Sequence, residues 1–153
     1  MAFTKKQALE LAASALQDVN LPDPFMLMRW YPFELSGGML QRAMIALAMC
    51  LRPSLLIADE PTTALDTANQ LQVLRLLDRI RTEYGTAILL ISHDLGVIAE
   101  MADEVAVMQR GEIVEHADVY RLFDRPQHPY TKQLMEARPK LQMNDRIEEF
   151  VMS

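Results

Sequence analysis

The sequence predicts an α/β fold with parallel strands, and three stretches carry that expectation. Two short apolar runs, Leu55 to Ala58 and Thr86 to Ile91, have the length and hydrophobicity of buried strands. Between them, Asp66 to Tyr84 keeps Val73, Leu77, Ile80 and Tyr84 on one helical stripe, widened by Leu74. Arg75, Asp78, Arg79, Arg81 and Glu83 form its solvent side. Strand, helix and strand joined by short loops place the two strands parallel in one layer.

Taken in order, Lys5 to Val19 reads as an amphipathic helix with Leu9, Ala12, Ala13 and Leu16 on one side and Thr4 as its N-cap. Asn20-Leu21-Pro22-Asp23-Pro24 breaks it. Phe25 to Tyr31 is short and rich in Met and aromatics, and its Met26, Met28 and Trp30 suit a core or an interface. After Pro32 comes Glu34-Leu35-Ser36-Gly37-Gly38-Met39-Leu40-Gln41-Arg42, then the apolar run Ala43 to Leu51. Leu40, Met44, Leu47 and Leu51 share one helix face, and Cys50 within this segment is expected as a packed thiol. Gly85 is a natural stop for the long helix.

Asp94 to Met101 reads as a short helix and Glu104 to Met108 as a strand. Gln109-Arg110-Gly111-Glu112 looks like a hairpin turn into a strand around Ile113 to Glu115. Asp118 caps a short helix through Phe123, and His128-Pro129 opens a last one through Ala137. From Lys140 on, the chain is polar and expected to be loose. Three divisions follow: a helical segment over 1–52, an α/β core over 53–117 and a C-terminal extension over 118–153.

With 153 residues, half of them hydrophobic, the chain is about one domain with a real core. No apolar run approaches the ~20 residues that span a bilayer. Met1 to Lys6 does not lead into the apolar core of a secretory signal, because Glu10 interrupts early. A net charge of −6 without a basic stripe argues against nucleic acid as a partner. The single cysteine cannot form an internal disulfide, and a soluble cytoplasmic chain is expected.

Two stretches point to phosphate chemistry. A Ser-Gly-Gly turn opening a helix offers unpaired backbone N–H groups and the positive end of the helix dipole, although the same tripeptide is also an ordinary loop. The strand at Leu55 ends in Asp59-Glu60, two carboxylates that serve equally as turn caps or as a metal ligand beside a water-polarising group. Ligands of parallel sheets sit at the carboxyl ends of the strands, where Asp59, Glu60 and His93 all fall. His116 and His128 have no metal-ligand spacing to each other or to Cys50.

In this order, the turn, the strand with Asp-Glu and the strand with His resemble the C-terminal half of an ATP-binding-cassette (ABC) ATPase, over roughly Leu9 to Leu141. Leu35-Ser36-Gly37-Gly38 looks like that family's signature motif, Leu55 to Asp59 like its Walker B strand, and Ala64-Leu65-Asp66 like its D-loop. The resemblance implies a partial nucleotide-binding domain of the P-loop NTPase type that uses ATP and Mg²⁺. Asp59 would hold Mg²⁺ through its water shell, Glu60 would polarise the attacking water, and His93 would hydrogen-bond the γ-phosphate. Leu35, Ser36, Gly37, Gly38, Met39 and Gln41 would face the ATP of a second ABC subunit, with Asp66 across the same seam. Met39 stands where the family usually has glutamine, a departure that fits its peptide- and nickel-importer branch. Arg125-Pro126-Gln127-His128-Pro129-Tyr130-Thr131, followed by Leu134, Ala137 and Pro139, looks like the C-terminal extension of that branch.

Membrane permease subunits would then be partners, and the location would be the cytoplasmic side of the inner membrane. The family also needs a Gly-rich loop ending Gly-Lys-Ser/Thr, the Walker A motif. None of the five glycines here precedes a lysine. Two function classes follow: an ATPase component of a peptide or related importer whose Walker A half comes from elsewhere, or a non-catalytic module that docks on transporter subunits. A DNA-repair ATPase would need a coiled-coil segment or a basic patch, and neither is present.

Overall fold

The computed structural model describes residues 4–137, so the tail from Lys140 lies outside the described residues. The chain forms two compact units, one through His93 and one from Asp94.

The first unit opens with α1 (Lys5–Asp18), closed at its start by a reciprocal cap. Thr4 Oγ1 accepts from the Gln7 amide at 3.3 Å, and Gln7 Oε1 accepts from the Thr4 amide at 2.9 Å. The chain leaves α1 through Asn20, at φ 56°, and passes the single turn α2 (Pro24–Leu27) and a 3₁₀ turn (Pro32–Glu34). Helix α3 (Gly37–Met49) packs on α1, with Ile45 and Ala46 buried and Ala13, Val19, Leu21 and Leu27 completing this helical core. The piece Phe25 to Tyr31 is mostly exposed, with Leu27 its buried anchor.

Strand β1 (Leu55–Asp59), helix α4 (Thr67–Tyr84) and strand β2 (Ala87–Ile91) form the expected unit. The strands pair in parallel from Leu55↔Ala87 to Asp59↔Ile91, so their carboxyl ends finish level. Thr86 Oγ1 donates to Pro53 O at 3.1 Å and the Ala87 amide to Ser54 O at 3.0 Å, which fixes that register at its start. Val73, Leu74, Leu76, Leu77 and Ile80 of α4 are buried, as are Leu56 and Ala58 on β1. Gly85 ends α4 at φ 65°, the left-handed position glycine takes without strain.

Three expectations need correction. The α3 stripe Leu40, Met44, Leu47 and Leu51 is exposed, not buried. This helix is apolar nearly all round, and the small Ala46 beside Ile45 allows the closer approach to α1. Cys50 is exposed because it follows the last turn of α3, where that packing has ended. Tyr84, at the end of the α4 stripe, is also exposed, while Leu76 joins the buried set.

In the second unit, Asp94 caps α5 (Leu95–Met101) by accepting from the Gly96 amide at 2.8 Å. Strands β3 (Glu104–Gln109) and β4 (Glu112–Asp118) are antiparallel, and β4 runs longer than the sequence suggests. Arg110 and Gly111 both have positive φ, 52° and 85°, as a two-residue hairpin turn requires. Asp118 caps α6 (Val119–Asp124), and His128 caps α7 (Pro129–Glu136). The Glu115 carboxylate accepts from the Gln127 amide at 2.7 Å and the His128 amide at 3.0 Å, tying the approach to α7 onto β4. No described helix is long and apolar enough to cross a membrane.

Candidate functional site

The site is built where β1 ends. Glu60, the residue after the strand, has φ 48°, a left-handed conformation that costs a non-glycine residue energy. The bend turns its side chain toward the end of β2, while its amide still donates to Ile91 O at 2.9 Å and extends the ladder by one bond. Glu60 Oε1 lies 2.7 Å from His93 Nδ1 and 3.2 Å from the His93 amide, and Oε2 accepts from Thr63 Oγ1 at 2.7 Å. The bonds from His93 and then Thr63 hold the Glu60 carboxyl below its usual range, so it stays ionised. An ionised carboxylate only accepts, which makes His93 Nδ1 the donor. Asp59 closes β1 with an exposed side chain.

A second cluster surrounds the start of α3. Ser36 is its N-cap, with Oγ accepting from the Met39 amide at 3.3 Å, and that bond leaves the hydroxyl proton unused. Gly37 is exposed and Gly38 is buried. A Cβ on Gly38 would fall 2.5 Å from Asn69 Oδ1 and 2.8 Å from Asn69 Cγ, while one on Gly37 would meet Leu65 Cδ2 at 3.5 Å. Asp66 caps α4, accepting from the Asn69 amide at 2.9 Å and from Asn69 Nδ2 at 2.6 Å. Arg42 donates through Nε to Gly38 O at 3.2 Å and through Nη1 to Asn20 O at 3.0 Å.

The ABC transporter family model matches residues 4–63, and the model of the oligopeptide/dipeptide transporter C-terminal region matches residues 114–151. A probable peptide ABC transporter ATP-binding protein of Sinorhizobium fredii is 52% identical over 136 residues, which are 89% of this chain and 41% of that protein. The chain belongs to the ABC transporter ATP-binding proteins. An oligopeptide transport ATP-binding protein of Streptococcus pneumoniae is 49% identical over 138 residues, 90% of this chain and 39% of its own length. A dimeric ATP-binding cassette solved in a post-hydrolysis state with ADP and Pi superposes with a TM-score of 0.68 at 27% identity, covering 78% of this chain and 50% of that one. The chain thus spans about two-fifths of the length of these curated ABC relatives.

Within the ABC framework, the sequence-derived residues fall into the two clusters just described. Glu60 and His93 are in direct contact, and Ser36, Gly37 and Gly38 lie against Leu65 and the Asp66–Asn69 pair. Leu35, Met39 and Gln41 are half-buried around the turn, and Ala64 stands exposed at φ 63°. Two residues escaped sequence reasoning. Thr63, three beyond Glu60, occupies one of its oxygens, and Asn69, three beyond Asp66, takes the space over Gly38. The Asp-x-x-Asn spacing was a visible capping signal, but its contact with a glycine thirty-one residues earlier was not.

Among the described residues, no three His, Cys, Asp or Glu stand together as a metal cage. A lone exposed carboxylate at a strand end does suit Mg²⁺, which keeps most of its waters and binds phosphate oxygens for the rest.

Proposed function

We propose that this chain is the signature-bearing portion of an ABC ATPase that drives import of peptides or a related small solute. The contact that carries the proposal is Glu60 against His93, 2.7 Å apart at the level carboxyl ends of two parallel strands. Three hydrogen bonds fill three of the roughly four acceptor positions of the Glu60 carboxylate, which leaves one for a water. Held ionised and below its usual pKa, Glu60 is a weak base but a well-aimed acceptor, and phosphoryl transfer asks mainly for positioning of the nucleophile. With Nδ1–H on Glu60, His93 would hydrogen-bond the γ-phosphate through Nε2–H in its protonated form. Asp59 would hold Mg²⁺ through water, and that ion would supply charge neutralisation at the phosphates.

Ser36 Oγ–H and the Gly37 and Gly38 amides would face ATP on a second ABC subunit, with Leu35, Met39 and Gln41 around them and Ala64, Leu65 and Asp66 along the seam. Membrane permease subunits would dock on the exposed helical surface, which would put the protein at the cytoplasmic face. The names of the relatives, peptide and oligopeptide transport proteins, support the solute class. The phosphate loop, absent from residues 1–153, would come from a further portion of the cassette.

The test uses the purified chain with Mg²⁺ and ATP, alone and completed by a cassette segment carrying Gly-x-x-x-x-Gly-Lys-Ser/Thr. Turnover is expected only in the completed assembly, and Glu60→Gln should abolish it. Turnover by the chain alone that Glu60→Gln removes would overturn the need for that loop. A folded, completed assembly without turnover would favour the second reading, a non-catalytic module on transporter subunits.

A further inference from the structure

We propose that Asn69 is a positioning residue for the Ser36-Gly37-Gly38 turn. Its side chain occupies the space over Gly38 and, locked by Asp66, ties the turn to Ala64-Leu65-Asp66 of the same chain. The inference rests on the proposed role of that turn toward phosphate.

The geometry leaves little slack. Asn69 Oδ1 and Cγ would stand 2.5 and 2.8 Å from a Cβ on Gly38, closer than real Cβ contacts come, and Asn69 Cβ would stand at a tight 3.1 Å. The amide group of Asn69 cannot swing aside cheaply, because Nδ2 donates to Asp66 Oδ2 at 2.6 Å and the Asn69 backbone is the capped first turn of α4. A Cβ on Gly37 would come into ordinary contact with Leu65, at 3.5 Å from Cδ2. On the other side, Arg42 holds the Gly38 carbonyl to Asn20 O. The Gly37 and Gly38 amides are therefore aimed by packing from α4 and by Arg42 rather than by the turn alone.

This gives Gly38 a second reason to be glycine. Close approach of a phosphate would require it, and so would Asn69. The two reasons separate experimentally, because only the second is relieved by changing residue 69.

Glycine labelling with ¹⁵N gives five amide signals, from Gly37, Gly38, Gly85, Gly96 and Gly111. In a dilute solution of residues 1–153, Asn69→Ala should move the Gly37 and Gly38 signals and leave Gly85, Gly96 and Gly111 in place. Gly38→Ala should lower the folded-to-unfolded ratio about tenfold in urea, and Asn69→Ala added to it should restore most of that loss. A Gly38 signal indifferent to residue 69, or a double variant as unstable as the sum of the singles, would overturn the proposal. The completed ATPase supplies the separate functional readout. Activity lost in Gly38→Ala and recovered in the double variant supports positioning by Asn69. Activity that stays lost, although the double variant has regained its fold, overturns Asn69 as the constraint that matters in function. Single-site coupling without any effect on turnover would count against the proposed role of the turn and leave the packing inference standing.

Discussion

Glu60 combines a strained backbone with a side chain held by three hydrogen bonds, and the strain is explained by the contacts it permits. With φ in the β region, the carboxylate would follow the alternation of the strand to one face of the sheet; at 48° it reaches both His93 groups. Its titration should report this. The folded-state pKa is depressed, so the group contributes stability above its ordinary value near 4.5, and that contribution is lost as pH falls through the lower folded value. The side-chain carboxyl of Glu60, followed by NMR, should titrate below 4.5, and His93→Ala should move the midpoint upward. A midpoint unmoved by His93→Ala would mean that the 2.7 Å contact does not persist in solution.

At the scale of elements, α4 is the organiser. Its buried run supplies the one covered face of the parallel pair, and its capped start supports the Ser-Gly-Gly turn. Leu77 is fully buried, so Leu77→Ala should cost about 3 kcal/mol, from lost transfer energy and the cavity left behind. Urea unfolding followed by circular dichroism measures it, and a cost under ~1 kcal/mol would show that the α4 contact with the strands is loose. Helix α3 teaches the opposite lesson: Leu40, Met44 and Leu47 are exposed, and Ile45 beside the small Ala46 is buried.

For the whole molecule, the other face of the β1–β2 pair decides behaviour. Leu55, Ile57, Leu89 and Ile91 are 51, 61, 50 and 46% exposed, on a parallel pair of a kind that is ordinarily covered on both sides. Together with two unpaired strand edges, this is a surface for association. The isolated chain should self-associate with rising concentration, and Ile57→Lys with Leu89→Lys should shift it toward monomer in analytical ultracentrifugation, since neither side chain is in the core. A monomeric wild-type chain melting cooperatively with ~5 kcal/mol or more would show that this face needs no cover.

The elements, and the places of Asp59, Glu60 and His93 at strand ends, were legible from sequence because they depend on local signals. Period, caps at Thr4 and Asp118, the glycine stop at Gly85 and the acids and histidine at strand ends are all written within a few residues of where they act. Which of two apolar faces of α3 is buried, whether Cys50 is covered, how Glu60 reaches His93, and that Asn69 sits on Gly38 were decided only by tertiary structure. Each of these depends on the distance between segments far apart in the chain. That distance is set by the volumes of the side chains that meet between them, a quantity that no local pattern contains.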